Sequence, residues 1–343
     1  MTGRVLSAIS GVSLVVHLMS QVSSGQQGPL LFAREEEGSI YSINLDGSSP
    51  RKWVDGRNPV RSPDGQFILV NYQGNMLRIP PDGSAAMVLG VGGVYTWSPD
   101  GEHIAFQRFG GIYMISKDGS GERELVAEEG WRPFWSSTDP TVVYYNRGGG
   151  LGMPDLYLVD VATGELKLVR AGTSISEGPS PFSPEGTRLL VSDCGDESFC
   201  VKVLDLTTGE LTQIGFSGRG GAQRPAWSPD GNYIVFEVFD GMGGLYVADS
   251  RGQAVRELVP GRGEAAPGGA VWSPDGHMIA FHLRDWMGSR RTQICLINAD
   301  GSGMRRLTEG SWPVWISMPS IYQAGDSRQS LLTWGTLKYQ FGP

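Results

Sequence analysis

The stretch RPAWSPDGNYIVF, Arg224 to Phe236, is restated 45 residues later as GAVWSPDGHMIAF, Gly269 to Phe281. A chain that repeats a unit of this size stacks its units, each burying what it cannot bury alone. The phrase recurs as VRSPDGQFILV from Val60, TWSPDGEHIAF from Thr96, FWSSTDPTVVY from Phe134 and FSPEGTRLLV from Phe182, which makes six forms in all. A seventh, VWISMP from Val314, keeps the tryptophan and serine and loses the turn. A second phrase alternates with the first at Ile40, Met76, Ile112, Leu156, Val201, Leu245 and Ile294, as in ICLINADGSGMRRLT.

Both phrases are short, alternating and rich in Val, Ile, Tyr and Leu, and each is broken by a glycine turn, which predicts antiparallel strands. In Ser-Pro-Asp-Gly the proline presets the second turn residue, serine and aspartate bond turn backbone, and glycine accepts positive φ. The 50 Gly and 21 Pro among 343 residues fit a chain that turns this often.

A spacing of about 36 to 47 residues suits four strands per unit, the size of a propeller blade. Leu30 to Val54 offers three strands with no Trp-Ser-Pro strand before them, and Trp312 to Ser317 offers a first strand with no second. Joined, the two pieces complete a seventh blade and remove the open sheet edges. The expectation is an all-β, single seven-bladed propeller of four-stranded antiparallel blades over residues 25–317, closed by N- and C-terminal strands, with six blades as the alternative.

WSPDGHMIAF followed by ICLINADGSGMRRLT resembles the WD-like repeat of the TolB propeller domain, over roughly residues 30 to 316. The resemblance implies a periplasmic envelope setting and a protein partner. It also implies an α/β domain before the propeller and six blades, whereas here propeller strands begin near Leu30 and the leftover pieces predict seven. The propellers of prolyl-oligopeptidase-like serine peptidases are similar too. Those peptidases rely on an attached α/β-hydrolase domain, and no Gly-x-Ser-x-Gly elbow occurs in the sequence.

Residues 1–24 have the order of a secretory signal peptide: Arg4, an apolar stretch from Val5 to Met19, then Val22-Ser23-Ser24. At about 15 residues the apolar stretch is too short for a stable membrane span. A periplasmic or extracellular monomer is expected. In that compartment Cys194 and Cys200, flanking GDESF, can form a disulfide. Cys295 alternates with apolar neighbours as a buried small hydrophobe does. Residues 318–343 break the repeat and form a C-terminal extension.

Ingredients for catalysis are sparse. The net charge of −8 and pI near 5.1 argue against nucleic acid as a partner. His103 and His277 follow turn glycines and are expected to face solvent, and no histidines have metal-ligand spacing. The aspartates of SPDG (Asp64, Asp100, Asp230, Asp275) and of DGS (Asp46, Asp82, Asp118, Asp300) each stand alone in a turn, unlike a calcium loop. No cofactor is expected. Trp97, Trp135, Trp227, Trp272 and Trp315 share one repeat position and are expected to pack between neighbouring blades.

What distinguishes this chain should lie where its repeats differ. The face opposite the SPDG turns carries irregular loops, including those from Asn146, Asp193, Val238 and Leu283. Three residues before the repeat tryptophan, where the innermost strand enters the central channel, the series reads Asn58, Val94, Arg132, Pro179, Arg224, Gly269 and Trp312. The leading expectation is a non-enzymatic module that grips an envelope protein or peptide on this face. Arg132 and Arg224 take carboxylates, Trp312 and Trp286 supply apolar contact, and Asn58, Asp240 and Asp285 complete the surface. Pairing of the two arginines with acidic neighbours inside the channel is the alternative for those residues. A small-molecule or glycan-acting lyase or hydrolase using the channel carboxylates Asp240 and Asp285 is the alternative function.

Overall fold

The computed structural model describes residues 30–127, 129–148, 154–179, 181–192, 201–214, 222–238, 243–261, 265–285 and 291–315. Their strands form seven four-stranded antiparallel sheets, the blades of a propeller with seven rather than six units. In the closing blade, called the first here, Ser311–Trp315 is innermost, followed by Leu30–Arg34, Ser39–Ile43 and Arg51–Asp55. Leu30 pairs with Trp315 and Leu31 with Val314, so the two ends of the described chain share one sheet. The innermost strands of the second to seventh blades are Arg57–Arg61, Tyr95–Trp97, Gly130–Trp135, Ser174–Ile175, Ala222–Trp227 and Ala265–Trp272.

The Ser-Pro-Asp-Gly phrase is a turn in each of its four intact copies. At Ser98 the Gly101 amide donates to the Ser98 carbonyl at 2.9 Å, and Gly101 sits at φ 72°. The Ser98 hydroxyl donates to Asp100 Oδ1 at 2.5 Å and accepts the His103 amide at 2.9 Å, while the Glu102 amide reaches the same aspartate oxygen at 3.0 Å. Ser62, Ser228 and Ser273 repeat the arrangement with Asp64, Asp230 and Asp275. These serines are buried, so Ser98→Ala should leave the His103 amide without its partner and destabilise the fold by about 1 to 3 kcal/mol in urea titrations. An unchanged midpoint would show that the turn does not depend on the hydroxyl.

The repeat tryptophans tie each blade to the one before it. The indole N–H groups of Trp97, Trp227, Trp272 and Trp315 donate to the carbonyls of Val60, Pro181, Ala226 and Val271, at 3.2 to 3.3 Å, on the preceding innermost strand. Around Trp272 the core mixes Val235, Leu245 and Val259 of the sixth blade with Ile279, Phe281 and Cys295 of the seventh. Trp135 departs from the rule. Its indole N–H has no partner among the described residues, and its ring stacks on His103 at 6.2 Å. His103 is therefore half-buried against the next blade rather than facing solvent, whereas His277 is exposed as expected. Cys295 is fully buried, and burial pushes its thiol pKa up to about 11.

Residues 1–24, 318–343, Cys194, Cys200, Trp286 and Asp240 lie outside the described residues. Asp285 ends the strand Met278–Asp285 opposite Ala265, and its side chain also lies outside them.

Candidate functional site

The position three before the repeat tryptophan has an unusual backbone. Asn58, Arg132, Arg224 and Trp312 adopt φ values of 54°, 52°, 44° and 52°, and Gly269 at the same place adopts 60°. Each sits in a bulge of the innermost strand. Arg57 pairs with Asn71 and Val60 with Leu69, which leaves Asn58 and Pro59 opposite Val70 alone, and the fourth, sixth and seventh blades shift register at the same point. Such bulges re-aim side chains.

In all four non-glycine cases the next residue is proline, which supplies no N–H where the ladder is broken but pushes its predecessor toward extended backbone. Left-handed backbone at such a residue costs about 1 to 3 kcal/mol and persists only where the surroundings enforce it. Four repetitions at one place mark this as a built feature of the innermost strands.

Just behind the bulges lies a second repeat position, on the second strand of each blade, one residue after a fully buried apolar residue (Val70, Phe106, Tyr145, Val191, Phe236, Phe281 and Phe32). It reads Asn71, Gln107, Asn146, Ser192, Glu237 and His282 from the second blade to the seventh, with Ala33 in the closing blade. Its neutral amides bond the backbone that enters the next blade. Asn71 Nδ2 donates to the Gly92 carbonyl at 2.8 Å, Asn146 Oδ1 accepts the Ile175 amide at 2.9 Å, and Gln107 Oε1 accepts the Arg132 amide at 3.5 Å. Glu237 Oε1 takes the same part toward the Gly269 amide at 2.6 Å. Blades six and seven thus carry titratable groups where the second, third and fourth carry amides.

Glu237 is only 7% exposed, and Arg224 Nη1 meets its second oxygen at 3.2 Å. Burial raises the Glu237 pKa to about 7, against the opposing pull of Arg224 and the Gly269 amide. On the neighbouring blade, burial and then the charges of Arg224 and Arg284 push the His282 pKa down to about 4. No described group bonds the buried Nδ1 of His282. Gly268 and Gly269 pass between these side chains, and a Cβ on Gly269 would lie 2.8 Å from His282 Nδ1 and 3.0 Å from the Trp312 ring.

Trp312 closes the sector. Its ring meets His282 edge-on at 5.0 Å and lies 5.2 Å from the Arg224 guanidinium carbon, while its indole N–H donates to Glu35 Oε1 at 2.6 Å. Glu35 belongs to a short helical turn, Glu35–Glu37, between the second and third strands of the closing blade.

The fifth blade adds the remaining acid. Its innermost strand interrupts itself: the Ser176 amide donates to the Leu190 carbonyl at 3.1 Å, and the Leu190 amide donates to the Pro181 carbonyl at 2.8 Å. The residues between leave the sheet. Glu177 on this excursion pairs with Arg132 at 2.9 Å. Gly178 packs so tightly that a Cβ would lie 1.6 Å from the Pro225 carbonyl oxygen of the sixth blade.

Arg224 and Trp312 of the expected surface are therefore in contact, while Arg132 pairs with Glu177, whose charge reaches Glu237. Both arginines have acidic partners, which is the alternative arrangement anticipated for them. Asn58 stands apart on the second blade, where its carbonyl accepts the Tyr95 hydroxyl at 2.6 Å. Glu237 and His282 were legible as polar interruptions of apolar strands, in VFEV and AFHL, had that position been aligned across blades. Among the described residues no group of three His, Cys, Asp or Glu side chains could hold a metal ion, and no helix is long and apolar enough to cross a membrane.

The sequence profile of the TolB beta propeller domain matches residues 112–317, more than half of the chain. The chain belongs to this family. No curated protein matches the sequence. Among solved structures, TolB from Acinetobacter baumannii is 15% identical to this TolB-type propeller with a TM-score of 0.52, covering 81% of this chain and 78% of that one. Oligogalacturonate lyase from Vibrio parahaemolyticus is 13% identical with a TM-score of 0.58, covering 83% of this chain and 87% of that one. Pyrococcus horikoshii acylaminoacyl peptidase is 15% identical with a TM-score of 0.60, covering 82% of this chain and 52% of that one. At these identities the likeness is one of fold, and a TolB-type propeller is shared by proteins with unlike activities.

Proposed function

We propose that this TolB-type propeller is a non-enzymatic binding module of the periplasm or cell exterior that takes an envelope protein or peptide at its channel mouth. The observation that supports this reading is the strained backbone before proline that repeats at Arg132, Arg224 and Trp312 on the innermost strands, the strands that line the central channel of a propeller. An exposed indole beside half-buried arginines is a composition found at the centre of protein interfaces. Phe109, 88% exposed at the tip of the hairpin joining His103–Arg108 to Gly111–Ser116, adds apolar surface on the same face.

Affinity capture from envelope extract tests this reading, with the intact chain beside a variant carrying Arg132→Glu and Arg224→Glu. The expected result is a partner retained by the native chain and lost from the variant. Equal capture by both would move the site off the channel mouth.

Glu237, half-protonated near neutral pH and close to His282, favours acid–base chemistry as the second reading. Glu237 and His282, which both pack against Gly268, would be its acid–base pair beside the Asp240 and Asp285 anticipated from the sequence. It expects new chain ends when acidic oligosaccharides are incubated with the protein, and loss of that release in His282→Gln.

A further inference from the structure

The sector where the sixth, seventh and closing blades meet holds more chemistry than a structural role requires. Gln107 shows that a neutral amide suffices to accept the next blade's amide at this repeat position. Glu237 keeps that bond and adds a carboxylate oxygen for Arg224.

Arg224 is held from both sides. Its backbone is fixed in the bulge before Pro225, and its guanidinium lies between Glu237 and the Trp312 ring. Its side chain is still 34% exposed, and Trp312 is 39% exposed. One ion pair to a single carboxylate oxygen leaves the guanidinium fork able to take a carboxylate side-on.

We propose that Arg224 and the exposed indole of Trp312 form a site for a carboxylate borne on an apolar or planar group, and that this anion replaces Glu237 as the partner of Arg224 while Glu237 takes up a proton from solvent. The proposal rests on the reading of the channel mouth as a binding surface and names what that surface recognises.

The charges around Glu237 fit such an exchange. Arg224 faces it from the first strand of its own blade, and Glu177 from the fifth-blade excursion raises its pKa by repulsion, with Arg132 neutralising that acid. From the seventh blade come the Gly269 amide and His282, which stays neutral above about pH 4. Arg284 acts on His282, and Glu35 is engaged by the Trp312 indole N–H and the Ser311 hydroxyl. An incoming carboxylate would therefore meet Arg224, whose present partner is an acid already poised to lose its charge. With Glu237 ionised, two carboxylates would compete for that cation. With Glu237 neutral, its Oε1 can still accept the Gly269 amide, so the fold does not depend on the charge.

The protonated, competent fraction falls about tenfold between pH 6 and pH 8 for a group titrating near 7, and the apparent affinity falls with it. By reciprocity, binding draws in close to one proton per site at pH 8 and only about a tenth of one at pH 6, where Glu237 is already protonated.

The test is calorimetry on the full chain at pH 6 and pH 8, in two buffers of different ionisation enthalpy. The probes are 3-phenylpropionate, the peptide acetyl-Ala-Ala-Phe with a free C-terminus, and the same peptide amidated. The expected result is binding of the free acids about tenfold tighter at pH 6, proton uptake near one per site at pH 8 and about a tenth of that at pH 6, and no binding of the amide. Binding of the peptide acid alone identifies a chain terminus as the source of the carboxylate. Binding of both acids identifies the shared chemistry.

Glu237→Gln, a residue that the fold already accepts at the equivalent Gln107, should bind with equal affinity at both pH values and without proton uptake. Arg224→Ala should lose binding at both. Equal affinity of the native chain at the two pH values, native-like pH dependence in Glu237→Gln, or no binding of either acid would overturn the proposal. Partner capture that is lost with the arginine reversals yet indifferent to pH and to Glu237→Gln would keep the binding face and sink the carboxylate exchange alone.

Discussion

Glu237→Gln and His282→Gln should tilt the pH dependence of stability in opposite directions. Glu237 titrates near 4.5 in an unfolded chain and at about 7 here, so between these values the folded protein holds a proton that the unfolded chain has released. Its contribution is full below pH 4.5 and is lost as pH rises through 7. His282 does the reverse, titrating near 6.5 unfolded and at about 4 in the folded protein. Its contribution is full above pH 6.5 and is lost as pH falls toward 4. Each amounts to roughly 3 kcal/mol.

In the native chain the two slopes oppose each other between about pH 4.5 and 6.5 and leave a nearly flat profile. Glu237→Gln removes one slope, so its stability should climb with pH across that window. His282→Gln removes the other, so its stability should fall with pH up to about 7. Urea midpoints measured at half-unit pH steps read both. Parallel profiles for the three proteins would show that neither buried group is held in its expected protonation state.

Trp272→Ala should destabilise the propeller by about 3 to 5 kcal/mol, among the largest losses available from one side chain. The indole fills the space between the sixth and seventh blades and donates to the Ala226 carbonyl at 3.2 Å. Removing it opens a cavity at a seam between sheets and breaks the inter-blade hydrogen bond, two costs that add. Trp272→Phe should lose less, about 1 to 2 kcal/mol, because a ring still fills the seam. The fifth blade already uses Phe182 at this place, buried. Equilibrium denaturation of the pair separates packing from the hydrogen bond. Equal losses would assign the whole effect to the bond.

Much of the architecture was legible because its causes are local. The Ser-Pro-Asp-Gly turns close within a few residues, and the spacing of their copies counts the blades. The join between Leu30 and Trp315 was also legible, since an unmatched first strand and three strands lacking one leave a single economical closure. The same alignment put Arg132, Arg224 and Trp312 at one repeat position on the innermost strands, though it did not reveal their left-handed backbone. That conformation comes from a bulge, and a bulge is a relation between two strands.

The residues that make the sector chemical were not found by that route. Glu237 and Gly269 are 32 residues apart, Arg132 and Glu177 are 45 apart, and Trp312 reaches Glu35 across 277. Motif spacing carries no trace of such contacts. The strongest hint was compositional, an acid and a histidine inside otherwise apolar strands, and it acquires meaning only beside Asn71, Gln107 and Asn146 at the same place.

By itself, then, the sequence determined the strands and the turns and favoured seven blades with a circular closure over six, because turn chemistry and alternation act over a few residues and repeat at a fixed interval. Only the tertiary structure decided which acid meets which arginine, where the fifth blade sends Glu177, and that Glu237 and His282 lose their ordinary titration. Those outcomes depend on the angle between blades and on how much water the closed ring excludes, which no single repeat contains.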